Sequence, residues 1–237
     1  MAERRTVGVL GGLGPAATVD FLDKLVRATP AERDQDHVRV LLDMNPAVPC
    51  RHAAIGGRGP SAGPALAEMA RGLEQSGADF LVMVCNTAHA FEPEIRAATR
   101  LPFVSIVEET VRAAMACRPA LRVAGVLAAE GCLEAGLYER AFAARGVAVR
   151  TLDAAGRAAF MVLIGRIKAG RIDDEARSGM RELAERLTAA GAELLVAGCT
   201  EVPLVLAEAD VPVPLLSSTD VLVERTLAYA QGEPLPA

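Results

Sequence analysis

Apolar runs and amphipathic stretches alternate along this chain in a regular order. Residues 6–10 form a short apolar run, 16–28 carry Val19, Leu22, Leu25 and Val26 at helical spacing, and 38–42 form a second run. Continuous apolar runs of this length read as buried strands, whereas three-to-four-residue spacing reads as helix. The same reasoning predicts helix at 66–75, strand at 80–84, helix at 93–98 and strand at 103–104. The pattern then restarts: strands at 122–127, 147–152, 194–197 and 213–216 alternate with helices at 132–144, 157–168, 174–190 and 219–229. Strands separated by helices imply an α/β fold of mostly parallel sheets flanked by helices, with ligands at the carboxyl ends of the strands. Residues 43–63 interrupt the order. Pro46, Pro49, Gly56, Gly57, Gly59, Pro60 and Gly63 predict an irregular connection there, of the kind that often serves as a lid or binding loop.

One segment occurs twice, as GADFLVMVCNT at 77–87 and GAELLVAGCT at 191–200, with Cys85 and Cys199 in register. Each copy reads as a helix-ending glycine, a buried strand, a cysteine and a helix start. The restart itself is echoed, since Gly125-Val-Leu repeats Gly8-Val-Leu. Two pseudo-symmetric domains are therefore expected, one of residues 1–104 completed by a C-terminal helix within 217–237, the other of residues 105–216, with a cleft between them. A thiol past the end of a buried strand and at a helix amino end is expected to have a lowered pKa. Two such thiols facing one cleft suit removal and return of a proton on opposite faces of a carbon.

Composition narrows the class without naming the chemistry. The 237 residues carry a net charge of −5 with no Lys/Arg block, which gives no footprint for nucleic acid or an anionic membrane. No spanning apolar stretch or leader is apparent, and five irregularly spaced cysteines read as reduced thiols, so a cytoplasmic location is expected. The motif Gly12-x-Gly14-x-x-Ala17 also fits an alanine-ended dinucleotide fingerprint. Pro15 and the displaced acid Asp43 weaken that reading, and a nucleotide would leave the paired cysteines unexplained.

Five motifs in order, GVLGGLGPAAT at 8–18, the Asn45-Pro46 loop ending Pro49-Cys50-Arg51, VCNTAH at 84–89, GRIKAG at 165–170 and GCTEVPL at 198–204, resemble the aspartate/glutamate racemase family. The resemblance covers nearly the whole chain. Glutamate racemases carry Asp-Ser-Gly and Cys-Thr-His at two of these places, so Gly-Gly-Leu-Gly-Pro and Cys-Thr-Glu201 point to the aspartate branch. It implies two pseudo-symmetric α/β domains, usually a homodimer, no pyridoxal phosphate, no other cofactor, no metal, and two cysteines as acid and base acting on a dicarboxylic amino acid.

By that resemblance Cys85 and Cys199 are the catalytic pair. Arg51 and Lys168 are expected to hold a distal carboxylate; arginine is suited to bidentate carboxylate recognition, and lysine is scarce, with only Lys24 and Lys168 present. Asn86, Thr87 and Thr200 are expected to donate to the α-carboxylate, although the same residue types cap helices. Glu201 is expected to contact substrate or tune a thiol. Gly12 and Leu13 offer backbone donors at a helix start, and Cys132 stands where a threonine often contacts ligand. Cys50 and His52 depart from the Asp and Thr that usually flank this arginine. His89, four residues after Cys85, is expected to be structural, and Cys117 to lie at a helix end beside Arg118 and Pro119. Other reactions of the superfamily, hydantoin racemization and maleate isomerization, and a non-catalytic dicarboxylate-binding protein are the alternatives.

Overall fold

The computed structural model describes residues 4–236. Two four-stranded sheets form the frame. In the first, β1 (Val7–Gly11), β2 (Val40–Met44), β3 (Phe80–Met83) and β4 (Phe103–Val104) are ordered β2-β1-β3-β4; in the second, β5 (Val123–Leu127), β6 (Ala148–Arg150), β7 (Leu194–Ala197) and β8 (Leu215–Ser217) are ordered β6-β5-β7-β8. Every pairing is parallel, and the second order repeats the first. The central strands β1, β3 and β7 are buried along their whole lengths, which is why they read as continuous apolar runs rather than alternating ones.

The repeat extends to packing. A Cβ on Gly8 would lie 2.6 Å from Leu81 and 2.9 Å from Ala78, and one on Gly125 would lie 2.6 Å from Leu195 and 2.8 Å from Ala192. In both halves a glycine in the first strand lets the third strand's leucine and the residue after its leading glycine press against the sheet. Those leading glycines, Gly77 and Gly191, have φ of 92° and 88°, the left-handed conformation that ends a helix.

Helices α1 (Pro15–Ala28), α3 (Gly63–Gln75), α4 (Glu92–Ala98), α8 (Ala154–Lys168) and α9 (Asp174–Ala189) follow the periodicity. Three stretches differ from expectation. The 43–63 connection is not wholly irregular: between Pro49 and Gly56 the helix-compatible run RHAAI forms α2 (Arg51–Ile55), which packs on the short helix Glu130–Glu134. The expected helix at 132–144 is two, α6 (Glu130–Glu134) and α7 (Leu137–Ala143), because Gly136 adopts φ 58° and breaks the ladder. A helix α5 (Ile106–Cys117) fills 106–117, begun by a Ser105 side chain that accepts from Glu108 N–H and buried through Ile106, Val107, Thr110, Val111 and Ala114. The final helix α10 (Ser218–Ala230) packs on both α1 and α5, and Arg5 N–H donates to Ala230 O at 2.9 Å. No helix among the described residues is long and apolar enough to cross a membrane.

Candidate active site

The two repeated segments deliver Cys85 and Cys199 just past the ends of β3 and β7, strands next to the order reversal in each sheet, where α/β sheets open a crevice. Both thiols line one cavity, together with Leu13, Arg51, His52, Asn86, Thr87, Ala129, Lys168, Thr200 and Glu201. That cavity is closed to about 20 Å³, room for a single water. A wider pocket of about 260 Å³ lies outside it, lined by Gly12, Gly14, Pro46 and others, and shares Leu13, Arg51, Lys168 and Glu201 with it.

The expected lowering of the thiol pKa values is overturned. Each cysteine is followed by a short 3₁₀ turn, Thr87–Phe91 or Val202–Leu204, so the dipole of a long helix is absent at both. Burial dominates and pushes both thiols up. At Cys85 it is opposed by Arg51, Lys168 and the Ala88 backbone; at Cys199 it is reinforced by Glu201 and opposed by Lys168, and that thiol lies well above its ordinary value.

Glu201 is the hub of the second half of the site. It is 3% exposed, accepts from the Cys199 thiol at 3.0 Å through Oε2, and faces Lys168 Nζ at 3.5 Å through Oε1. Oε1 has no hydrogen-bond partner. A Cβ on Gly14 would fall onto this oxygen, so the glycine turn ahead of α1 makes room for the carboxylate from the opposite half. Burial lowers the pKa of Lys168, but Glu201 and the two thiols outweigh it and leave the ammonium more firmly charged.

Arg51 enters from the first turn of α2. Its guanidinium donates to Leu13 O at 2.9 Å and to Val48 O and Pro49 O at 3.0 Å each. These bonds hold the charge at the cavity without neutralising it. Thr87 and Thr200 are buried and line the cavity, and the Thr200 hydroxyl faces Glu201 Oε2 at 3.4 Å. Gly12, with φ of 79°, lies only on the outer pocket, and a Cβ there would meet the Asn45 backbone at 2.6 Å.

Two of the expected contact residues have other partners. Asn86 lines the cavity, and its amide is hydrogen-bonded within the protein: Nδ2 donates to Ser218 Oγ at 2.9 Å, and Oδ1 accepts from Tyr138 Oη at 2.7 Å. Ser218 in turn donates to Ala197 O at 2.8 Å. This buried chain ties the ends of β3 and β7 together, and it involves Tyr138 and Ser218, which no local pattern singles out. Cys132 is not among the residues lining the cavity; it sits in the first turn of α6, buried in the core that also holds Tyr138, where burial pushes its thiol up. His52 lines the cavity.

His89 is structural. Ile106 N–H donates to Nε2 at 3.1 Å, so the ring proton sits on Nδ1 and donates to Cys85 O at 2.8 Å. No group of three or more His, Cys, Asp or Glu side chains among the described residues is arranged to hold a metal ion.

A doubled parallel α/β frame, with a thiol past the end of the third strand of each sheet and both thiols on one cavity, is the architecture of a two-domain α/β racemase fold. The chain belongs to the Asp/Glu/hydantoin racemase family, whose model matches residues 10–226. It is thus an isomerase of the amino-acid racemase class. It is 27% identical over 231 residues to the broad specificity amino-acid racemase RacX of Bacillus subtilis, covering 94% of this chain and 96% of that one. The aspartate racemase of Picrophilus torridus superposes with a TM-score of 0.81 at 27% identity, covering 98% and 96% of the two chains. A glutamate racemase of Deinococcus radiodurans is 34% identical over 59% of this chain and 46% of its own.

Proposed function

We propose that the protein racemizes an acidic amino acid, aspartate before glutamate, by two-base proton transfer between Cys85 and Cys199 without pyridoxal phosphate or metal. The observation that carries this reading is the convergence of both thiols, Arg51 and Lys168 on one closed cavity. One thiolate takes the α-proton while the opposite thiol gives its own to the other face; product then leaves with the protonation states exchanged. Cys199, hydrogen-bonded to Glu201, rests as the thiol, and Cys85, nearer balance with Arg51 and Lys168, is the first to ionise. The α-carbon of an amino acid is a very weak acid, so the enclosure has to supply preorganised charge, typically worth several kcal/mol. Arg51 and Lys168 supply it for a substrate carboxylate. The similarity to the P. torridus aspartate racemase supports the same substrate. Action as a homodimer in the cytoplasm belongs to the same reading.

A second reading keeps the reaction and widens the substrate. Lys168 already faces Glu201, which offsets its charge, and Arg51 already spends donors on three carbonyls, so fewer guanidinium N–H groups are free for a distal carboxylate than its presence suggests. The B. subtilis relative is named for broad specificity. Incubating enzyme dialysed against EDTA and hydroxylamine with single enantiomers of aspartate, glutamate and neutral amino acids, then resolving the products, tests both readings. Racemization of acidic substrates alone supports the first and turnover across the panel the second; activity regained only with pyridoxal phosphate rejects the mechanism.

A further inference from the structure

His52, in the wall of the cavity, joins the two halves. Gly131 N–H, in the first turn of α6, donates to His52 Nδ1 at 3.1 Å across a sequence separation of 79. A backbone N–H can only donate, so Nδ1 holds a lone pair and the ring is the neutral tautomer with its proton on Nε2. The glycine is matched to the ring: a Cβ on Gly131 would lie 2.7 Å from Nδ1 and 3.3 Å from the His52 Cα. The early N–H groups of a helix have no partner within it, and the residue ahead of α6, Ala129, has no side chain able to cap them. His52 serves one of them from the other half of the molecule.

The position gives this bond leverage. His52 directly follows Arg51 on α2, lines the same cavity as both thiols, and α2 rests on α6. The cavity has room for one water and none for an amino acid, so its walls have to part for a substrate, and His52 is one of those walls. Burial, then Lys168 from α8 and the adjacent Arg51, hold the ring's pKa below 6.5 against the opposite pull of Glu130 and Glu134 on α6. The neutral acceptor form is the one these surroundings favour.

We propose that His52 is a positioning residue, a neutral clasp on Gly131 that shuts the Arg51-bearing segment over the cleft in each turnover. Its effect on turnover rests on the racemase reading; its existence as a clasp does not. The test compares the full-length parent with H52L, which lacks the acceptor, H52N, whose amide oxygen restores one near Nδ1, and G131A, whose methyl displaces the ring. Hydrogen exchange at constant pH is read in peptides covering 51–55 and 130–134, alongside kcat and KM for whichever amino acid the parent racemizes. Exchange in both peptides is expected to rise at least tenfold in H52L and G131A and to return toward the parent in H52N, with KM following the same order. On acidification the parent's KM is expected to rise with a midpoint below 6.5, a limb that H52N lacks. Unchanged exchange in H52L and G131A, or H52N behaving like H52L, would overturn the clasp. If H52L fails to fold, G131A and H52N decide it, and if the parent proves inactive, the exchange data still do.

Discussion

The Cys199 thiol points its hydrogen at the Glu201 carboxylate, 3.0 Å away, in a place where neither group meets bulk water. A carboxylate beside a thiol disfavours the thiolate, so the pair stores a proton on sulfur. The two cysteines that the repeat makes equivalent are thereby made unequal. Only the second has an acid two residues on that accepts its hydrogen.

The first expected consequence concerns pH. Two-base racemization needs one thiolate and one thiol, so kcat/KM rises as the first thiol ionises and falls as the second does. Burial raises both, and Glu201 raises Cys199 further, which places the descending limb far into the alkaline range. E201Q removes the charge and should bring that limb down, with faster alkylation of Cys199 by iodoacetamide at fixed pH. It should also cost about 1.5–3 kcal/mol in kcat/KM, the scale of a charge-assisted hydrogen bond. An unmoved limb and unchanged alkylation would show that Glu201 does not hold the thiol proton.

Replacing either thiol by serine should abolish racemization. Elimination of chloride from a β-chloro amino acid needs only one base, so C85S and C199S should each retain elimination with a single enantiomer, of opposite hand. Parent-rate racemization in either variant would show that one of the thiols is structural.

Arg51→Met and Lys168→Met separate the substrate readings. If these cations hold a distal carboxylate, each change should weaken kcat/KM for aspartate by about 2 kcal/mol and affect a neutral amino acid much less. Equal losses on both substrates would assign the cations to the α-carboxylate or to holding Leu13 and Glu201 in place.

Tyr138→Phe should lower stability. It leaves the buried Asn86 Oδ1 without its donor at 2.7 Å, an omission worth about 1–3 kcal/mol, read as a fall in the denaturant midpoint with unchanged m. A variant as stable as the parent would mean that a water replaces the hydroxyl.

By itself the sequence determined the alternation of strand and helix and the location of both thiols. Strands buried on both faces have no polar alternation to obscure them, and each ends in the same glycine-strand-cysteine cassette. The helix at 106–117 was not among the expected elements, although Ser105 followed by apolar positions at helical spacing is a local signal for it. Tertiary structure decided what each polar group meets. Asn86 could cap a turn, bind substrate or bridge the halves, and Tyr138 and Ser218, 52 and 132 residues away, settle its amide inward. Cys132 lies in the core because a helix of five residues buries whichever face its neighbours cover, and its own sequence is too short to mark that face. The thiols' proton affinity follows from desolvation and from Glu201, which depend on packing in all directions and leave no periodic trace along a chain. His52 is the extreme case: a loop residue in the sequence, it becomes a contact between halves only when α2 and α6 meet.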